Sequence, residues 1–153
     1  PQNSHSSILI RWDLTGLAPG SAVHEAVLDF DVTNPSAGQV YELFEVRRDW
    51  VEGEANWLQY AAGQEWQKPG ASGLEDRGTV PLARLAATSR GPLSVRLGTK
   101  ALEVVRRWIA DPSTNQGFIL VGTTQTNSLE FSSRESTVPE KRPRLTITHS
   151  LPR

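Results

Sequence analysis

The stretch Arg47-Arg48-Asp49-Trp50-Val51-Glu52-Gly53-Glu54-Ala55-Asn56-Trp57 carries residue types that recognise sugars. Its two tryptophans stand seven residues apart, with carboxylates, a glycine and an asparagine between them. An aromatic face packs on the apolar face of a pyranose, while nearby acids and amides take its hydroxyls. The same residues also suit a turn held by two anchors, because tryptophan is highly buried on average. Tyr60, Gln64, Glu65, Trp66 and Gln67 follow closely and are of the same kind.

Other chemistries find less support. The histidines are His5, His24 and His149, and no HxH, HExxH or similarly spaced acid accompanies them. No GxSxG elbow and no glycine-rich phosphate loop occurs. Glu52/Glu54 and Asp29/Asp31 are carboxylate pairs of the kind glycosidases use. Surface carboxylates are common, however, so the expectation is a turn for the first pair and a solvated strand face for the second. The chain has no cysteine, which removes disulfides, thiol nucleophiles and thiolate metal sites. With 16 basic and 17 acidic residues and a net charge of -1, no field draws nucleic acid. Arg47-Arg48, Arg106-Arg107 and Lys141-Arg142 are pairs and not tracts.

The elements that would position these residues read mainly as strands. Ile8, Ile10, Trp12 and Leu14 fall on one face at period two, with Arg11 and Asp13 on the other. Ala18-Pro19-Gly20 signals a turn. Val23 to Val32 alternates again, with Ala26, Leu28, Phe30 and Val32 on one side and Glu25, Asp29 and Asp31 on the other. Residues 33–38 form a loop by composition. Val40 to Val46 makes a third strand, so 23–46 looks like a hairpin. Its facing is open, since Tyr41/Leu43 and Phe44/Val46 both suit the interior. Residues 47–77 keep no period, and so long an irregular segment in a compact domain is often functional. Gly78–Leu82, Leu93–Leu97, Phe118–Gly122, Ser128–Ser133 and Arg144–His149 read as further short strands. Thr99 to Ala110 is the one helix, with Thr99 as N-cap and an apolar face of Ala101, Leu102, Val105, Trp108 and Ile109; Asp111-Pro112 ends it, and Asn115-Gln116-Gly117 is a turn. Short strands at close spacing with one helix point to a single all-β domain over 1–153, a two-sheet antiparallel sandwich. No apolar run approaches the roughly 18–20 residues of a membrane span. The first residue is Pro1 and not methionine, which leads to the expectation of further residues upstream.

Several motifs in order resemble one family. These are Ile8–Leu14 (ILIRWDL), Trp50-Val51-Glu52-Gly53 with Trp57, Trp108 followed by Asn115-Gln116-Gly117-Phe118, and Phe131-Ser132-Ser133-Arg134-Glu135 followed by Arg142-Pro143-Arg144-Leu145-Thr146-Ile147-Thr148. Together, over residues 7–149, they resemble the DNRLRE-domain family of extracellular bacterial and archaeal β-sandwich modules. The resemblance implies a jelly-roll-like sandwich, secretion or surface display, and no active site. It also implies attachment to other domains of the same polypeptide, and a carbohydrate-binding role known for some members.

Trp50, Glu52, Gly53, Trp57, Trp108, Arg134, Glu135 and Arg142 match the family motifs, so they are expected to be structural. Trp50 and Trp57 would be buried loop anchors, and Glu52 would cap backbone N–H groups of the turn at Gly53. Arg134-Glu135 and Arg142 would tie the last two strands. Ligand contact is expected instead at Trp66, Tyr60, Gln64 and Glu65, in the irregular segment. No cofactor is called for, although Asp29/Asp31, Asp49/Glu52 or Asp76 could offer oxygens to a structural calcium. Family members begin with one or two strands before the ILIRWDL strand, and here that strand comes almost at once. An open edge beside residues 8–14 is therefore expected, to be filled by upstream residues or by a neighbouring subunit in a homo-oligomer. The functional expectation is a non-catalytic extracellular or cell-surface module that binds polysaccharide or a surface glycan. The alternative is a structural or adhesive module of a surface protein or fibre, completed by an added strand.

Overall fold

A computed structural model describes residues 7–35, 38–123 and 128–152. His5, Ser36 and Ala37 of the loop after the second strand, and the first residues of the chain lie outside the described residues. Strands β1 (Ser7–Ile10), β2 (Ala22–Asn34) and β3 (Tyr41–Glu45) come first, then the short pair β4 (Gln59–Ala61) and β5 (Gln64–Glu65). Next are β6 (Ala83–Leu85), β7 (Gly91–Arg96), helix α1 (Thr99–Ala110), β8 (Phe118–Gly122), β9 (Glu130–Phe131) and β10 (Arg144–Ser150). One sheet has the order β1-β8-β3-β6; the other has β10-β2-β7, with β9 also pairing β2. Every strand pairing is antiparallel. The two sheets face each other across one core, to which β2 gives Leu28 and Phe30 and the first sheet gives Leu43, Phe118 and Leu120. This is the all-β sandwich that the alternation predicts.

Residues 23–46 are not a hairpin. β2 and β3 lie in different sheets, each paired with strands distant in sequence. Alternation reports which way a side chain faces, but it is blind to the neighbouring strand. The open facing of β3 also resolves, because both sets are buried. Tyr41 and Leu43 enter the core between the sheets. Phe44 and Val46 enter a second cluster with Trp50, Trp66, Ala71 and Ile119. The first sheet is thus covered on both faces, and the irregular segment 47–77 covers the outer one.

Other boundaries shift. The first strand stops at Ile10, although Leu14 is buried and Ile8, Ile10 and Trp12 all pack on the core. Residues 78–82 are not a strand; this stretch is held to β3 by Gly78 N–H to Glu45 O and Leu82 N–H to Leu43 O, and ladder pairing begins only at β6. The strand expected over 128–133 is only the two residues of β9. Helix α1 has the predicted span, but Gly98 occupies the N-cap without a side-chain bond, so Thr99 lies inside the helix. Its buried face also includes Val104. Trp108 packs on Phe118 with ring centroids 4.7 Å apart, which ties the helix to the core between the sheets.

Candidate functional site

The 47–77 segment is irregular in period but closely tied. Val51 N–H donates to Tyr60 O at 2.9 Å, and Asn56 N–H to Gln59 O at 2.9 Å. Asn56 Oδ1 accepts from the backbone of Leu58 and Gln59, which closes the turn into β4. Trp66 N–H donates to Leu58 O, and Gly70 N–H to Trp57 O at 2.7 Å. The far end is organised by Asp76, whose side chain is fully buried. Its carboxylate accepts from the backbone N–H groups of Gln67, Lys68 and Gly73 and lies 3.5 Å from Arg48 Nε. Burial alone would raise its pKa; these donors outweigh burial and hold it below the usual carboxylate value.

The three tryptophans of this segment take unequal places. Trp50 is buried, as expected of an anchor; its indole N–H donates to Gln116 O at 2.8 Å, and Arg11 lies over its ring. Trp66, expected at the ligand, is only 5% exposed. Its indole N–H is spent on Asn56 O at 2.8 Å, and its ring fills the outer cluster. It is an anchor. Trp57, expected as an anchor, is 42% exposed. A Cβ built on Gly70 would stand 2.6 Å from Cζ3 and 2.9 Å from Cζ2 of the Trp57 ring. Such near-equal distances to one ring set Gly70 under the indole face. Only a glycine leaves room there, and Gly70 also has a φ of 72°.

Trp50, Trp57 and Trp66 line one shallow cavity of about 370 Å³, with Leu9, Glu52 and Asn56 on its walls. Ligand pockets begin at about 300 Å³. Of the other expected contacts, Tyr60 is half-buried between Trp66 and Arg48, and its hydroxyl bonds Gln64 Oε1 at 3.3 Å. Gln64 and Glu65 are exposed on β5.

The charged motif residues are rearranged as well. Glu52 does not cap the Gly53 turn. It pairs with Arg134 at 3.2 Å, while Glu54 takes the backbone N–H of Ala62. Arg134 also meets Glu135 at 2.9 Å, and all three side chains are exposed, so the triad adds little stability. Arg142 donates from Nε to Ser136 O and so holds the 133–142 connection. The carboxylates named for calcium already have donors. Asp29 accepts from Ser94, Asp31 from Ser132 and Lys141, Asp49 from Arg11, Glu52 from Arg134 and Asp76 from the set above. Among the described residues no three histidine or acidic side chains gather in one place. Likewise, no helix of the described residues is long and apolar enough to cross a membrane.

Among the described residues β1 has β8 as its one strand neighbour and ends the first sheet. Along it runs a groove of about 900 Å³, whose other wall is β9 with the residues after it. Glu52 on one wall and Arg134 on the other join across this groove.

Sequence reasoning missed Trp57 as the exposed ring and Asp76 as the loop's organiser. A signal existed for the second in Gly73-Leu74-Glu75-Asp76, where a glycine leaves the backbone close to an acid three residues on. Compared with known proteins, the chain matches no family model and none of the curated proteins.

Proposed function

We propose that this chain is a non-catalytic β-sandwich module that binds polysaccharide through the tryptophan-lined cavity of segment 47–77. One observation carries the reading. Trp57 is 42% exposed, one face of its ring lies on Gly70, and it lines a cavity together with Trp50 and Trp66. A ring held from behind loses little freedom on binding, and a pyranose offers the apolar face that fits it. Asn56, Gln59, Gln64 and Glu65 supply amides and an acid on the same segment for hydroxyl groups. The resemblance to DNRLRE modules agrees with this reading and supplies the setting, a secreted or surface polypeptide with further domains.

Affinity gel electrophoresis against a panel of soluble polysaccharides tests it. At least one polysaccharide retards the chain, and Trp57→Ala reduces that retardation by about tenfold or more, the scale of one aromatic anchor. Retardation by no polysaccharide, or equal retardation of the variant, overturns the reading. The second reading, a structural or adhesive module, draws on a different feature: among the described residues β1 ends its sheet with β8 as its one strand neighbour.

A further inference from the structure

The cavity of Trp50, Trp57 and Trp66 has a single ionisable side chain on its walls, that of Glu52. The other lining residues are apolar or glycine, with Ser7 and Asn56. Among the described residues no lysine or arginine lines it. Asn56 Oδ1 is already taken by the backbone N–H groups of Leu58 and Gln59. The Glu52 side chain is more than half exposed and so meets whatever enters.

A carboxylate only accepts hydrogen bonds. The C6 hydroxyl of a neutral hexose can donate to it, and such a charge-assisted bond is a strong one. The C6 carboxylate of a uronic acid has no proton to give and carries the same charge. In a cavity of about 370 Å³, a carboxylate on a seated sugar stays within the roughly 8–10 Å over which charges act before salt screens them. Resting on the polysaccharide reading above, we propose that this cavity selects neutral hexose polymers over uronic acid polymers, and that Glu52 is the residue that discriminates.

The charges around the cavity point the same way. Arg134 lies 3.2 Å from Glu52 but also 2.9 Å from Glu135, so this triad has two acids to one base. Segment 47–77 holds six acidic and four basic residues. Arg11 and Arg134 reach it from outside, and Glu135 comes with Arg134, so acids still exceed bases. Arg11 is paired with Asp49, and Arg48 with Glu75 and Asp76. Arg47 donates to the neutral carbonyl of Leu74 and keeps its charge, and Lys68 has no ion pair among the described residues. Neither of these two cations lines the cavity.

The test runs the intact chain in affinity gels of soluble glucomannan, β-1,3-glucan and galactan. Each polymer is run beside its own form with the C6 hydroxymethyl groups oxidised to carboxylates. Retention is counted as the part that Trp57→Ala removes, which sets aside adsorption of anionic polymer on Lys68 and other surface cations. The expected result is retention by at least one neutral polymer, weakened about fivefold or more by its oxidation at low salt, with the gap closing as salt is added. Glu52→Gln should narrow that gap and Arg134→Gln should widen it, opposite directions that a merely structural role for the pair would not give. Oxidised forms retained as well as or better than the neutral ones, still through Trp57, overturn the selectivity and leave the polysaccharide reading standing. A gap that neither variant moves overturns the role of Glu52. Retention by none of the polymers, oxidised or not, overturns the polysaccharide reading and this inference with it.

Discussion

The ring of Trp57 rests on the backbone of Gly70, and an added methyl at Gly70 would stand 2.6 Å from Cζ3 of that ring. Gly70→Ala must therefore lift the indole and hold a left-handed φ of 72° with a side chain. Overpacking of this kind costs about 1–3 kcal/mol. The expected outcome is a lower urea midpoint with a red-shifted tryptophan emission, and glycan retention lost along with the fixed ring.

Exchange of roles between Trp57 and Trp66 is open to a direct comparison. Trp66→Ala empties the outer cluster and leaves Asn56 O without its donor, so about 3–5 kcal/mol of stability is lost. Trp57→Ala removes a ring that is 42% exposed and costs much less. Urea unfolding of the two variants gives the order, and a larger loss at Trp57 would contradict it.

Asp76 ties stability to pH in a defined direction. Its folded pKa lies below the ordinary value of 3.8, so its contribution is present in full above that value. The contribution is lost as pH falls through the lower, folded value. Asp76→Ala leaves three backbone N–H groups without their acceptor and costs about 3–5 kcal/mol at neutral pH. The unfolding free energy of the variant should fall less steeply at acid pH than that of the parent chain.

Arg134 makes the contrasting case. Its partners Glu52 and Glu135 are exposed, and Arg134→Ala should change stability by less than about 1 kcal/mol. Thermal unfolding checks this; a larger loss would give the motif the tying role expected from its position in the sequence.

These contrasts also mark what the sequence could say. Helix α1 is readable because its period is 3.6 and Pro112 closes it. The alternation in β2 shows the buried Ala26, Leu28, Phe30 and Val32, since period two reports facing directly. It gives no hint that β2 and β3 part into different sheets, because pairing depends on β7, β8 and β10 far along the chain. Phe44 and Val46 looked ambiguous because a loop without period covers them. The three tryptophans of that loop are one residue type in one irregular stretch. What separates them is a carbonyl at Asn56, a carbonyl at Gln116 and a missing side chain at Gly70, which no local pattern encodes.

The most direct test of glycan binding at Trp57 is an NMR titration that follows the five tryptophan Nε1–H signals as oligosaccharide fragments of a retarding polysaccharide are added. A saturable shift of the Trp57 signal is expected, with that of Trp108, which is 1% exposed in the core between the sheets, unmoved. A Trp57 signal that stays in place while the fragment binds elsewhere would contradict it.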